Sequence, residues 1–303
     1  VTDANVVLGR INADKPIGGK LERLDVERAK AAIETHVGAP LGLSVMAAAE
    51  AIIRVANSKM AGAIRLVSIE RGHDPKYFTA MPFGGGGALH TGALMKEVGL
   101  KSALVPRYPG INSALGCTIA DMRHDFVQTI NGVLGGLEME DLDRRMVQLA
   151  QQGLGLLQTA GVAFGGTAVQ FELDMSYQGQ THTVDVVVPL DLNGETTGVT
   201  EALVRASFET RYLAVYGRLL DNIAIRVLNL RVSALGKRPK FDLTLLAPAA
   251  GVDLAQARRG TRQVWFDGGF HETGVYERLP LSVGQVVPGP ALLEQPDATI
   301  FIE

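Results

Sequence analysis

Phe78-Thr79-Ala80-Met81-Pro82-Phe83-Gly84-Gly85-Gly86-Gly87-Ala88-Leu89-His90 is the stretch that decides the fold. A short apolar run enters four consecutive glycines, and a helix-like segment follows from Ala88 to Val98. Gly99-Leu100 then leads to a compact strand candidate, Ala103-Leu104-Val105-Pro106. Strand, glycine loop, helix and strand in that order make one α/β unit. Glycines between a strand and a helix let the backbone approach a flat or anionic ligand, and the helix start adds free amide donors and a positive dipole end. A nucleotide suits such a place, and so does a tight turn with close helix-strand packing. The spacing matches neither of the familiar nucleotide fingerprints. No Lys-Ser or Lys-Thr pair follows, and the position about 20 residues on, where an acidic ribose reader belongs, falls within Lys101 to Arg107.

Upstream, Asp25 opens a helix that runs to about His36 and stops at Gly38 and Pro40. From Ser44 the residues Val45, Ala49, Ile52, Ala56, Met60, Ala63, Ile64 and Val67 recur every three or four positions, which predicts a long helix to about Glu70. Arg71-Gly72-His73-Asp74-Pro75 ends it. Downstream, Ser113 to Asp121 reads as a helix of small residues and Phe126 to Ile130 as a strand. After Gly132 the pattern changes: a helix from Glu138 to Leu157, strands at Val169 to Met175 and Val184 to Pro189, a helix from Thr200 to Tyr216, and a strand at Ile223 to Val232. Lys237 to Arg262 reads as a connecting segment. Gln263 to Glu303 reads as short strands between turns such as Asp267-Gly268-Gly269 and Pro288-Gly289-Pro290. The expected division is 1–135 (α/β), 136–240 (α+β) and 241–303 (strand-rich).

Composition narrows the function classes. The chain has 303 residues, 47% of them hydrophobic, enough for two or three packed units. Lys plus Arg number 29 against 32 acidic residues, a net charge of −3, so neither a polybasic footprint nor an acidic tail is present and no nucleic-acid partner is expected. One cysteine, Cys117, excludes an internal disulfide framework and fits a reducing compartment, so a cytoplasmic location is the expectation. No membrane association is expected, because no run of about 18 apolar residues occurs. The chain begins at Val1 without a methionine, which suggests a processed subunit or a piece of a longer protein.

Other reactive residue types read as structural. Arg71 to Pro75 gathers a cation, an imidazole and a carboxylate, but a capped helix end has the same composition. His124 and Asp125 are adjacent on a strand and point to opposite faces, so they suit an ion-pair cluster with Asp121 and Arg123 better than a shared metal. His90 follows the glycines and is able to reach a phosphate or base, or to lie on a helix surface. Asp174 to His182 is a polar hairpin, and Cys117 among small apolar residues reads as buried packing. No G-x-S-x-G elbow or H-E-x-x-H pair is present.

Taken in order, a longer set of motifs runs from Val1-Thr2-Asp3-Ala4-Asn5-Val6-Val7-Leu8-Gly9-Arg10 through Ala56-Asn57, Ile64-Arg65, and Ser68 to Pro75. It continues through Phe83 to His90, Val105-Pro106, Pro109-Gly110, Ser113 to Gly116, and Ala120 to Asp125. The last members are Tyr177-Gln178-Gly179-Gln180, Tyr216-Gly217, Asn229 to Val232 and Gly289-Pro290-Ala291. This set resembles the hydantoinase A/oxoprolinase family across essentially the whole chain. The resemblance implies the second lobe of an actin-like (sugar kinase/Hsp70-type) ATPase fold, followed by an α+β, strand-rich C-terminal region.

The same resemblance implies ATP-dependent, magnesium-dependent opening of a cyclic amide such as a hydantoin or oxoproline, with a substrate oxygen activated by phosphorylation and the reaction completed with a hydantoinase B-type subunit. Alternatives are a subunit of an ATP-dependent acetone or acetophenone carboxylase acting on a ketone, or a non-catalytic scaffold that docks the partner. The family's two D-x-G-G-T phosphate loops have no match here, so the phosphate-binding lobe is expected upstream of Val1 and the chain alone is expected to be inactive. Gly84, Gly85, Gly86 and Gly87 are carried over as nucleotide contacts, with Asp3 and Asn5 at the edge where the phosphate lobe joins. A bulky residue at Gly85 is expected to abolish nucleotide binding.

Overall fold

The computed structural model describes residues 1–18, 22–247 and 251–303, which group into two units: 1–118 with 242–303, and 119–241. The sequence reading divides the chain near 135 and 240. The packing instead joins the last 62 residues to the first unit.

In the first unit, α1 (Thr2–Val7) has two apolar faces. One packs on α2 (Val26–Ile33) and α3 (Val45–Val67), where Ala4, Val7 and Leu8 meet Ala29, Ile33, Ala48, Ala49 and Ile53. The small residues of α3 allow this close approach, as their spacing implies. Asp25 and Ser44 cap α2 and α3 by accepting the amides of Arg28 and Ala47. The other face of α1 packs on a four-stranded sheet formed by the last part of the chain, where Val6 and Ile11 meet Val264, Phe266, Leu292 and Phe301.

The α/β unit anticipated around the glycines is present in reduced form. β1 (Thr79–Ala80) and β2 (Ser102–Ala103) pair in parallel, with α4 (Thr91–Val98) between them in sequence. Each strand is two residues long because Pro82 and Pro106 lie just beyond them and cannot donate to a ladder. α5 (Asn112–Ile119) closes this part of the chain.

The second unit is an antiparallel sheet in the order β3-β6-β4-β5, from β3 (Met122–Val133), β4 (Gly166–Tyr177), β5 (Val184–Val188) and β6 (Ile225–Lys237). α6 (Met139–Thr159) and α7 (Glu201–Tyr216) supply the rest of its core. Leu142, Met146, Ala150, Gly153 and Leu157 form the buried stripe of α6. Gly153 is required there, since a Cβ would lie 2.5 Å from Ala234 Cβ on the sheet. The opposite sheet face is polar: Arg123 Nε donates to Asp125 Oδ1 at 2.7 Å, and Arg231 Nε to Asp174 Oδ1 at 2.9 Å.

In the remaining segment, β7 (Arg258–Phe266) and β8 (Gly269–Glu277) form a hairpin through Asp267-Gly268, both at positive φ as a type I′ turn demands. β9 (Ala291–Gln295) runs parallel to β8 and returns through Pro296-Asp297 as β10 (Ala298–Ile302). The expected connecting segment from Lys237 to Arg262 contains a one-turn helix at Leu254–Ala257 and the start of β7, while its residues 248–250 lie outside the described residues. Among the described residues no single helix is long and apolar enough to cross a membrane.

Candidate functional site

The glycine loop joins β1 to α4, and its four residues serve different purposes. Gly84 has φ +81, a left-handed conformation that side chains disfavour, and donates its amide to the Pro109 carbonyl at 2.7 Å. Gly85 is packed against its own protein: a Cβ there would lie 2.9 Å from Ile17 Cγ2 and 3.2 Å from the Asp297 carbonyl oxygen. Gly86 is exposed and a Cβ on it would meet nothing within 4 Å. Gly87 begins a 3-10 turn, Gly87–Leu89, that buries Ala88 and Leu89.

Asp297 organises the loop, and sequence reasoning missed it. Its Oδ2 accepts the Gly110 amide at 2.8 Å, its Oδ1 accepts a hydrogen bond from Gln295 Nε2, and a Cβ on Gly110 would collide with its carbonyl oxygen. The β9-β10 turn is thus pressed between Gly85 and Gly110, about two hundred residues away in sequence. Pro-Asp signals a turn, but nothing local states what the turn touches.

Two concavities lie near the loop, and none of its four glycines is among the residues lining either. On the β1 side, an apolar groove of about 410 Å³ is lined by Ile64, Val67, Phe78, Met81, Pro82 and Leu94. On the other, a cavity of about 780 Å³ includes Ile17 and Pro296, with the ion pair of Arg262 and Glu294 at 2.8 Å inside it. Both fall in the range of small-molecule sites, roughly 300 to 1,000 Å³.

His90 is neither a surface residue nor free to reach a ligand base. It is buried, and its Nδ1 is 2.7 Å from Asn57 Oδ1 on α3. With that oxygen as acceptor, Nδ1 carries the proton and Nε2 is bare. Burial lowers the His90 pKa, and the Arg10 charge adds to the effect. An unfolded histidine titrates near about 6.5, so the unfolded chain binds this proton first on acidification. The His90 contribution to stability is therefore complete above that pH and is lost as pH falls through the lower folded value. The expected result is a melting midpoint that drops between pH 7 and pH 5, with a shallower drop in His90→Gln. Equal slopes in the two proteins would remove His90 as the cause.

Asp3 and Asn5 part company. Asp3 is exposed in the first turn of α1, where a carboxylate complements the helix dipole. Asn5 is 1% exposed, its Nδ2 donates to the Val1 carbonyl at 3.2 Å, and its buried Oδ1 has no partner among the described residues. The contacts that shape the glycine loop run to Ile17, Pro109 and Asp297 instead. Elsewhere, Gly72 is a left-handed cap and Asp74 accepts the Lys76 amide, so Arg71 to Pro75 is a capped helix end. Cys117 is exposed, which corrects the expectation of buried packing: α5 has no buried residue. Gln180 of the polar hairpin donates to Tyr212 Oη at 2.7 Å. Among the described residues no three His, Cys, Asp or Glu side chains gather where they would hold a metal ion.

Known proteins match this arrangement end to end. The hydantoinase/oxoprolinase family model matches residues 1–126, and the hydantoinase/oxoprolinase C-terminal domain matches 138–303. The chain belongs to the hydantoinase/oxoprolinase family. All of it aligns with the caprolactamase subunit alpha of Pseudomonas jessenii at 31% identity, over 43% of that protein. All of it also aligns with 5-oxoprolinase 1 of Arabidopsis thaliana at 30% identity, over 24% of that protein. The crystal structure of the ATP-dependent caprolactamase from Pseudomonas jessenii superimposes with a TM-score of 0.73 at 31% identity, and the chain covers 44% of it. Nucleotide-free acetone carboxylase shares the fold, with a TM-score of 0.73 at 24% identity. This hydantoinase/oxoprolinase chain thus spans less than half the length of these relatives.

Proposed function

We propose that the chain is the adenosine-side lobe of an ATP-dependent enzyme that opens cyclic amides, built on an actin-like ATPase fold. The observation that carries this reading is the contrast within the glycine loop. Gly84 is accounted for by its left-handed φ and Gly85 by packing on Ile17 and Asp297, whereas exposed Gly86, at negative φ, has open space at its Cα beside a helical turn. That is the room a nucleotide needs for close backbone approach. The names of two relatives, caprolactamase and 5-oxoprolinase, support a cyclic amide as substrate.

Bound ATP would supply the phosphoryl group that, placed on the amide oxygen, makes the poorly electrophilic amide carbon open to attack. In this reading the chain's own residues position the adenosine: Asp297 and Pro109 fix the loop from behind, and Gly86 faces the ligand. Magnesium would be held by the nucleotide phosphates and a complementary lobe. The unpaired edges of the short β1-β2 sheet support such a lobe, since parallel strands are ordinarily covered and extended. A hydantoinase B-type subunit completes ring opening.

A second reading, an ATP-dependent ketone carboxylase subunit, is favoured by the 26% identity to the acetone carboxylase beta subunit of Xanthobacter autotrophicus. ADP release by the complete complex separates them. Release that requires a lactam, hydantoin or oxoproline and ignores bicarbonate is expected. Release that requires a ketone and bicarbonate would replace the first reading with the second.

A further inference from the structure

Two arginines of the first unit, Arg107 and Arg278, line one cavity of about 400 Å³. Every hydrogen bond their guanidinium groups make among the described residues goes to a neutral acceptor. Arg278 Nη1 donates to the carbonyls of Pro106 at 2.8 Å and Arg107 at 3.0 Å and to Gln295 Oε1 at 2.7 Å, and its Nη2 donates to the Val105 carbonyl at 2.8 Å. It therefore clamps the chain leaving β2. Arg107 Nη2 donates to the Leu279 carbonyl at 2.8 Å, its guanidinium carbon lies 5.6 Å from the Tyr108 ring centre, and its buried Nε has no partner among the described residues. Asp297, the acid whose charge reaches Arg278, is already engaged by Gly110 and Gln295.

The two cations on this cavity repel each other, burial of Arg278 removes water that would screen it, and the Asp297 charge offsets this only in part. Burial lowers the Arg278 pKa and the Arg107 charge lowers it further. A single anion would relieve both. Arg107 has the capacity to hold it, because a guanidinium presents five N–H donors and only one is used. Val105, Leu279, Leu281, Val287 and Leu293 make the hydrocarbon walls, and Gln285 is the other polar side chain on the cavity. A phosphate here would press its outer oxygens against those side chains, at the cost of unpaired polar groups. A carboxylate has only two oxygens, which match the fork of an arginine.

We propose that this cavity binds a small carboxylate with a short apolar body, its oxygens on the free edge of Arg107 and its chain against Val105, Leu281, Val287 and Leu293. The site is separate from Gly86, and its failure would leave the nucleotide reading untouched.

Thermal shift and titration calorimetry of the 303-residue chain with hexanoate, acetate and inorganic phosphate at matched ionic strength test it. Hexanoate is expected to give a saturable rise in melting midpoint larger than acetate or phosphate gives. Arg107→Met is expected to weaken hexanoate on the order of tenfold or more, with a ligand-free midpoint unchanged or raised because a like charge is gone. A second variant guards against misfolding: Val287→Asp supplies an internal carboxylate and should abolish the hexanoate shift. No saturable hexanoate shift beyond that of sodium chloride, a phosphate effect equal to or above hexanoate, or a shift that persists in both variants overturns the proposal.

Discussion

Gly86→Leu is expected to abolish the protection that adenine nucleotide gives against thermal unfolding while leaving the ligand-free midpoint unchanged or slightly higher. A ligand present at a hundredfold its Kd contributes about 2.7 kcal/mol to apparent stability, so the loss is large and easily measured. The variant should fold, because Gly86 has φ −99 and ψ −11, open to any L residue, and space for a side chain. Removing a glycine from such a position stiffens the unfolded chain and adds about 0.4–1 kcal/mol. Gly85→Leu behaves oppositely. Its side chain is driven into Ile17 and the Asp297 backbone, and overpacking of this kind costs about 1–3 kcal/mol whether or not nucleotide is present. The sequence suggested Gly85 as the probe of nucleotide contact, but its loss would report the fold. Undiminished protection in Gly86→Leu would remove the glycine loop from the nucleotide site.

Phe208→Ala is expected to cost about 3–5 kcal/mol, read as a lower urea midpoint by far-ultraviolet circular dichroism. Phe208 is fully buried on α7, and its ring meets Tyr177 edge-on at 5.0 Å and Tyr212 at 5.3 Å. Each of those tyrosines is itself anchored: Tyr177 Oη accepts the Leu220 amide and Tyr212 Oη accepts Gln180. Anchored neighbours are poorly placed to collapse into a void, which puts the cost at the upper part of the usual spread. Trp265, the sole tryptophan, lies in the other unit and reports there by fluorescence. A loss below 1 kcal/mol would show that the aromatic cluster refills the space.

The helices were legible wherever an apolar stripe coincided with a cap. Asp25 caps a helix that begins one residue later, as its sequence context predicts, and Ser44 and Thr200 cap theirs in the same way. The π turn at Glu34–Gly38 was not legible, because it continues an amphipathic pattern without interrupting it. The strand expected at Ala103 to Pro106 is shorter and begins at Ser102, since pairing and not apolarity sets its length. His90 and Cys117 failed in opposite directions for one reason. Exposure depends on what packs across from a residue, and for His90 that is Asn57 on a helix far upstream.

The sequence by itself determined the family, the order of elements, the positions of caps and turns, and the existence of a glycine loop between a strand and a helix. These are properties of residues within a few turns of one another, where propensity, capping and spacing act. Only the tertiary structure decided that β7 to β10 return to close on α1, and that Asp297 and Ile17 occupy the back of the glycine loop. It also decided that Gly86, alone of the four glycines, is both exposed and without a close neighbour. Those outcomes follow from burial shared by segments far apart in the sequence. An apolar or glycine pattern states that a surface must be covered or approached, and it carries no record of which distant segment does so.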